Sequence, residues 1–158
     1  MMESLPELRS ICKRLKSEGK KIVFTNGCFD LIHAGHIDYL SKAKAMGDVL
    51  IVGLNTDDSV SRLKGKMRPI LNEHERLFIL SNIKPVDYVI LFHEDTPQKL
   101  IEELLPDVLV KGEDWDIDEI VGANVVLANG GEVKNIKFVN DQSTSKIIKK
   151  IVAGYKDN

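Results

Sequence analysis

Cysteine is scarce in this chain: Cys12 and Cys28 are the only two, and no CxxC pair exists. That excludes a disulfide framework and a thiolate zinc centre, and both residues are expected to be small buried side chains. Aromatic residues make up only 6% of the sequence, with one tryptophan, and no basic stripe interleaves with them as in a nucleic-acid-binding module. A net charge of −2 removes the broad basic field that grips a nucleic acid backbone. Any phosphate binding must therefore be local, and no nucleic acid partner is expected. Long apolar runs are missing too. VLIVGL (49–54) and YVILF (88–92) fall well short of the roughly 20 residues that span a bilayer. The amino terminus, MMESLPELRS, is acidic and polar, whereas a signal peptide is basic and then apolar. A soluble cytoplasmic protein without membrane contact is expected.

What is present suits one globular domain over residues 1–158, with a leading helix (1–19) and a core (20–153): the chain has 158 residues and is 43% apolar. Leu5, Leu8, Ile11, Cys12 and Leu15 recur at helical spacing. KIVFTN (21–26) reads as a strand that breaks at Gly27, and a helical stripe from Gly35 stops at Gly47. VLIVGLN (49–55) then predicts a buried strand and TDDSVSRLK (56–64) a short capped helix. GKMRPI (65–70) is a basic loop, and residues 72–83 form a helix with Asn72 and Glu75 as its capping box. Strands at 86–92, 106–112 and 132–139 alternate with helices at 96–105, 117–131 and 143–155, Pro97 taking the first position of its helix. Strands apolar on both faces, alternating with helices, predict an α/β fold with a doubly wound parallel sheet. Ligands in such sheets bind beyond the carboxyl ends of the strands, so the loops after Asn26, Leu54, Phe92 and Lys111 should share one rim.

FTNGCFDLIHAGH (24–36) places two of the four histidines three residues apart, straight after the first strand. A helix start attracts anions through its free N–H groups and dipole, which favours a nucleotide. No GxGxxG follows that strand and no GxxxxGK[ST] exists anywhere, so the dinucleotide and P-loop fingerprints are excluded. A metal reading would join His33 and His36 to Asp30, but the spacing is neither HExxH nor a cysteine-rich site. Two polar histidines on a helix surface are the plain alternative, and it leaves the adjoining loop at the end of the first sheet strand unexplained.

GCFDLIHAGH resembles the nucleotidylyltransferase superfamily, whose HxGH motif is His33-Ala34-Gly35-His36 here. Ser143-Thr144-Ser145-Lys146 is similar to that superfamily's S-T-T stretch. NEHERLFIL, VDYVILF and LVKGEDW occur in the order of its cytidylyltransferase-like branch, over residues 20–153. Within that branch, FTNGCFDLIHAGH, LIVGLNTDDSVSRLKGKMRPI, VDYVILFHEDTP and PDVLVKGEDW most resemble the heptose 1-phosphate adenylyltransferases. Cytidylyltransferase relatives carry arginines where this chain has Lys84-Pro85 and Phe138-Val139, which argues against CTP.

The resemblance implies in-line attack by a sugar 1-phosphate oxygen on the α-phosphorus of ATP, releasing pyrophosphate, with Mg²⁺ accompanying the nucleotide and no tightly held protein metal. It implies His33, His36, Lys64 and Lys66 as catalytic groups. Asn26, Gly27, Cys28, Phe29, Asp30, Gly35, Arg76, Lys111, Gly112, Asp114, Ser143, Thr144 and Ser145 would bind nucleotide, and Arg68 and Trp115 the second substrate. Asp30 should orient a histidine or loop backbone, or hold Mg²⁺ through water, because a bare carboxylate repels phosphate. A homodimer or higher homo-oligomer is also implied. Rival expectations are a glycerol 3-phosphate or ethanolamine phosphate cytidylyltransferase, an FMN adenylyltransferase and a nucleotide sensor without turnover.

Overall fold

In the computed structural model, which describes residues 4–112, 116–137 and 143–155, five strands form one parallel sheet: β1 (Ile22–Gly27), β2 (Val49–Asn55), β3 (Tyr88–Phe92), β4 (Val108–Gly112) and β5 (Glu132–Ile136). Their spatial order is β3-β2-β1-β4-β5. The chain winds outward from β1 in one direction as far as β3, then returns to the other side of β1 with β4. The order therefore reverses between β1 and β4, and such a crevice is where ligands bind in open α/β sheets. Asn26 and Gly27 stand at its edge on β1, and Lys111 stands on β4.

The central strands explain their own composition. β2 is buried along its whole length, so both of its faces must be apolar. Alternation along β1 divides two cores: Ile22 and Phe24 face one with Leu8, Cys12 and Ile101, while Val23 faces the other with Tyr39, Leu40 and Leu80. The first core is roofed by α1 (Leu5–Ser17), α5 (Gln98–Leu104) and α6 (Ala123–Ala128), the second by α2 (Ala34–Lys44) and α4 (Glu73–Ser81). At Gly53 the sheet tolerates no side chain, because a Cβ there would lie 2.9 Å from the Phe24 ring. α3 (Asp57–Lys64) and α7 (Thr144–Gly154) complete the order. No helix among the described residues is long and apolar enough to cross a membrane.

Most predicted elements form, with ends shifted by a residue or two. The capping box of α4 is present: Asn72 Oδ1 accepts from the N–H groups of His74 and Glu75 at 3.0 Å each, and Asn72 N–H donates to Glu75 at 3.1 Å. Pro97 caps α5 from outside its first turn instead of occupying it. The helix predicted over 117–131 is not continuous. A 3₁₀ turn at Ile117–Glu119 is separated from α6 by Gly122, whose φ of +85° only glycine adopts easily. A Cβ on Gly122 would also lie 2.4 Å from Ile101. Sequence periodicity ran through Gly122 because apolar residues flank it on both sides. The strand predicted to end at 139 is described as far as Ile136, and Phe138 and Val139 lie outside the described residues.

Candidate functional site

A cleft of about 1030 Å³ opens at the carboxyl ends of the strands. Its deepest landmark is the loop after β1, where Phe29 and Leu31 hold positive φ angles of 44° and 54°. Such a backbone costs roughly 1–2 kcal/mol per non-glycine residue, so neighbouring contacts must enforce it. Two clamps do so on either side of Phe29. Arg76 Nη1 donates to the Cys28 carbonyl at 2.7 Å, and Thr144 Oγ1 donates to the Asp30 carbonyl at 2.7 Å. The absence of a side chain at Gly27 belongs to the same turn, since a Cβ would come within 3.0 Å of the Phe29 ring.

The loop delivers the histidines to the start of α2, where they cap the helix with their rings. His33 is the N-cap, and its Nδ1 accepts from Gly35 N–H at 3.2 Å. His36, three residues on, accepts His33 N–H on its own Nδ1 at 3.3 Å. A neutral imidazole that accepts on Nδ1 carries its proton on Nε2. Each ring therefore spends one nitrogen on the backbone and keeps an N–H donor on its cleft side. The rings lie close, with centroids 3.9 Å apart, and Phe29 is 5.5 Å from His36. Burial lowers the pKa of His33. Burial, with His33 adding to it, takes His36 down to about 4, so the pair is uncharged at neutral pH.

Asp30 explains how a carboxylate can sit at an anion-binding cleft. It is only 2% exposed, and its oxygens accept from Arg68 Nε and Ile70 N–H at 2.8 Å and from Leu71 N–H at 3.0 Å. Burial pushes its pKa up, but the two backbone donors and Arg68 outweigh that and hold it below the ordinary value. Its charge is thus consumed in fastening the 65–71 loop, the loop-orienting role among those expected of it. The carboxylate turns to that loop and the Nδ1 atoms turn to backbone, so His33, His36 and Asp30 do not converge on an ion. Among the described residues no cluster of three His, Cys, Asp or Glu side chains is placed to hold a metal.

Asn26, Gly27, Cys28, Phe29, Asp30, His33, His36, Lys64, Arg68, Lys111, Ser143, Thr144 and Ser145 all line the cleft. Ser143 is the N-cap of α7 and accepts from Lys146 N–H at 3.2 Å. Lys111 Nζ donates to Asn26 Oδ1 at 3.3 Å. Its pKa is lowered by burial first, with Lys64 adding to the drop and Cys28 opposing it. Gly35 acts through its N–H at the helix start, and Gly112 ends β4 opposite Ile136. Lys66 is not among the lining residues. Arg76, expected at the rim, lies behind it with no exposed surface. Its guanidinium binds the carbonyls of Leu71, Cys28 and Asn55 and the Asp57 carboxylate. Asp114 and Trp115 lie outside the described residues.

Asn55, Asp95–Pro97, Glu119–Val121 and Lys137 also line the cleft and were not named as site residues from the sequence. The strand-end rule did place the loops after Leu54 and Phe92 on the rim, and Asn55, the last residue of β2, and residues 95–97 stand there. Ile120 and Val121 were hidden inside the helix that Gly122 interrupts.

Residues 24–150 match the Cytidylyltransferase-like family. The chain belongs to that family. As a cytidylyltransferase-like protein it is 55% identical to the bifunctional protein HldE of Citrifermentans bemidjiense over 98% of its own length and 32% of that protein. It is 53% identical to the HldE of Geobacter metallireducens over 98% of its length and 31% of the relative. The chain thus spans about a third of the length of these curated relatives. The lipopolysaccharide core biosynthesis protein of Thermoplasma volcanium superposes with a TM-score of 0.63 at 35% identity, over 78% of this chain and all of that one. Pantoate-β-alanine ligase of Francisella tularensis, solved with β,γ ATP and β-alanine, shares the fold alone. It is 16% identical with a TM-score of 0.62, over 92% of this chain and 69% of the ligase.

Proposed function

We propose that this cytidylyltransferase-like chain transfers the adenylyl group of ATP to a sugar 1-phosphate, with D-glycero-β-D-manno-heptose 1-phosphate as acceptor, giving ADP-heptose and pyrophosphate. The observation that carries the reading is the paired imidazoles, each anchored to backbone by Nδ1 and presenting Nε2–H to a cleft that the N-terminus of α7 also faces. An oxygen of the sugar phosphate forms a bond to the α-phosphorus in line with the bridging oxygen to the β-phosphorus, and that second bond breaks as pyrophosphate leaves. The nucleophile is already an anion, so no general base is needed. The work lies in holding two repelling anions together and in stabilising charge on the transferring group.

His33 and His36 donate to the α-phosphate and the bridging oxygen. Ser143, Thr144, Ser145 and the N–H groups at the start of α7 take the outer phosphates. Lys64 and Arg68 approach from the 64–68 segment, with Lys66 beside them in sequence. Ile120 and Val121 provide an apolar wall for the base. Gly27, Gly35 and Gly112 let backbone come close. Arg76 supports the reading from behind, by shaping the loop that carries the histidines. Mg²⁺ enters as part of the ATP substrate, and the Asp30 carboxylate is engaged mainly by Arg68, Ile70 and Leu71.

Likeness to the HldE proteins and to a lipopolysaccharide core biosynthesis protein supports the heptose acceptor and a role in surface glycan synthesis. A cytoplasmic location and a homodimer or higher assembly complete the proposal. The latter is supported by exposed Phe78, Ile151, Val152 and Tyr155. The reading to be separated from it is transfer from CTP to glycerol 3-phosphate or ethanolamine phosphate. Pyrophosphate release with ATP, CTP, GTP and UTP, crossed against these acceptors, the heptose phosphate and FMN, separates them. Release with ATP and the heptose phosphate alone is expected, and release with CTP while ATP is inert overturns the adenylyl reading.

A further inference from the structure

Pairing between β1 and β4 stops short of the cleft. β1 runs beside β2 from Ile22↔Val49 to Gly27↔Leu54, whereas its register with β4 holds Val23↔Val108 and Phe24↔Leu109 and goes no further. Continued by one residue, that register would set Thr25 opposite Val110. The hydroxyl of Tyr39, reaching in from α2, stands between those two residues: it lies 2.7 Å from Thr25 Oγ1 and donates to the Val110 carbonyl at 3.3 Å. With its own proton given to Val110, the phenol accepts from Thr25. Burial pushes the Tyr39 pKa up to about 12, so that proton stays in place at neutral pH. Thr25 has no exposed surface and Tyr39 is buried, in a core that also holds Val23, Leu40, Val52 and Val110. A valine and a phenylalanine would fill the same space with no polar group to satisfy, so packing alone does not explain the two hydroxyls. A buried polar link that is satisfied contributes rigidity and one fixed geometry.

What the link joins is the crevice and the helix beside it. Thr25 precedes Asn26 and Gly27, and Val110 precedes Lys111, the residues with which each strand meets the cleft. Tyr39 lies three residues after His36 on α2, so the two side chains are neighbours on one face of the helix. We propose that Tyr39 is a positioning residue for the histidine pair: its hydroxyl takes the place of the next rung between β1 and β4, sets the width of the crevice there, and seats the start of α2 so that His33 and His36 present Nε2–H at a fixed position over the strand ends. This rests on the transfer reading for the reaction that is served, though not for the geometry. Tyr39 is not among the residues lining the cleft, so it acts through the histidines and not on a substrate.

The test compares the whole chain with Tyr39→Phe, Thr25→Val and the double variant, each of which keeps the side-chain volume and removes hydroxyls. Pyrophosphate release with ATP and the heptose phosphate gives kcat and KM, calorimetry gives the affinity for a non-hydrolysable α,β-methylene analogue of ATP, and NMR follows the imidazole nitrogens of the four histidines. Tyr39→Phe is expected to lower kcat about ten- to hundredfold, the scale of a small misplacement of catalytic groups, while KM and the affinity for the analogue stay within about threefold of the parent. Thr25→Val should act in the same direction, and the double variant should be no worse than Tyr39→Phe, because both changes cut one link. The signals of His33 and His36 should move, while those of His74 and His93, which are exposed and lie elsewhere, serve as internal controls and stay. An unchanged kcat in Tyr39→Phe, with or without a lower melting temperature, overturns the proposal and makes the hydroxyl a structural one. So does a loss of analogue affinity as large as the loss of kcat, or unmoved His33 and His36 signals. If Tyr39→Phe does not fold, Thr25→Val decides by the same criteria. Should the parent chain turn over no sugar phosphate, the transfer reading fails, and the histidine signals of the variants alone decide whether Tyr39 positions the pair.

Discussion

Arg68 and Arg76 stand eight residues apart, and the sequence presents both as cations for the same rim. Arg68 reaches the cleft while its Nε holds Asp30, and 17% of its side chain stays exposed. Arg76 has no exposed surface, and its donors go to three carbonyls and Asp57. One arginine opens onto the cleft and the other offers geometry to the protein. The difference teaches that a guanidinium near a phosphate cleft need not touch phosphate. Five N–H donors in a rigid fork also make it a fastener for carbonyls that helix and strand ends leave unsatisfied.

That contrast is most directly broken by truncation. Arg76→Ala should lose about 3–5 kcal/mol of stability, the usual cost of breaking a buried charge arrangement, read from urea unfolding. Arg68→Ala should lose far less stability and more catalytic efficiency. If the two variants unfold alike, the division of labour is wrong. His36→Ala, by contrast, should cut turnover about 10²–10³-fold, as removal of one transition-state donor does, while the melting temperature stays near that of the parent. Pyrophosphate release and thermal unfolding on the same sample check this.

Asp30→Asn should cost about 1–3 kcal/mol, since an amide nitrogen would face the donors that the carboxylate now accepts. It should also raise the KM for substrates by freeing Arg68. A normal KM would show that the 65–71 loop needs no fastening. Lys64→Ala should lower kcat/KM about tenfold, the scale of one exposed charged contact, and Lys66→Ala less, because only Lys64 lines the cleft.

The smallest expected effect is in pH. His36 titrates at about 4 in the folded chain against an ordinary 6.5, so between those values the unfolded chain binds more protons. Stability is then present above about 6.5 and declines as pH falls towards 4, by on the order of 1 kcal/mol once water at the cleft is allowed for. His36→Gln should flatten that slope. Asp30 acts lower down: its depressed pKa adds stability above the ordinary carboxylate value, lost as pH falls through the folded one.

Much of the architecture was legible because its signals are local. The apolar run of β2, the Asn72–Glu75 box and the glycines that end helices depend on near neighbours, and they form as read. Gly122 was not legible. Its positive φ serves a contact with Ile101, more than twenty positions earlier in the chain, and the broken helix that results brings Ile120 and Val121 to the cleft wall.

The cleft divides along the same line. Sequence determined its chemistry: HAGH at a strand-to-helix junction, a basic loop, and a Ser-Thr-Ser stretch that supplies both cap and hydroxyls. Tertiary structure decided which side chains face a ligand and which face the protein. Asp30 and Arg68 are 38 residues apart, Arg76 and Cys28 are 48 apart, and Thr144 and Asp30 are 114 apart. A hydrogen bond over such a separation exists only once the sheet has brought its strand ends together. No local pattern encodes that partnership, because the same arginine or aspartate suits solvent, carbonyl or phosphate until its neighbours are in place.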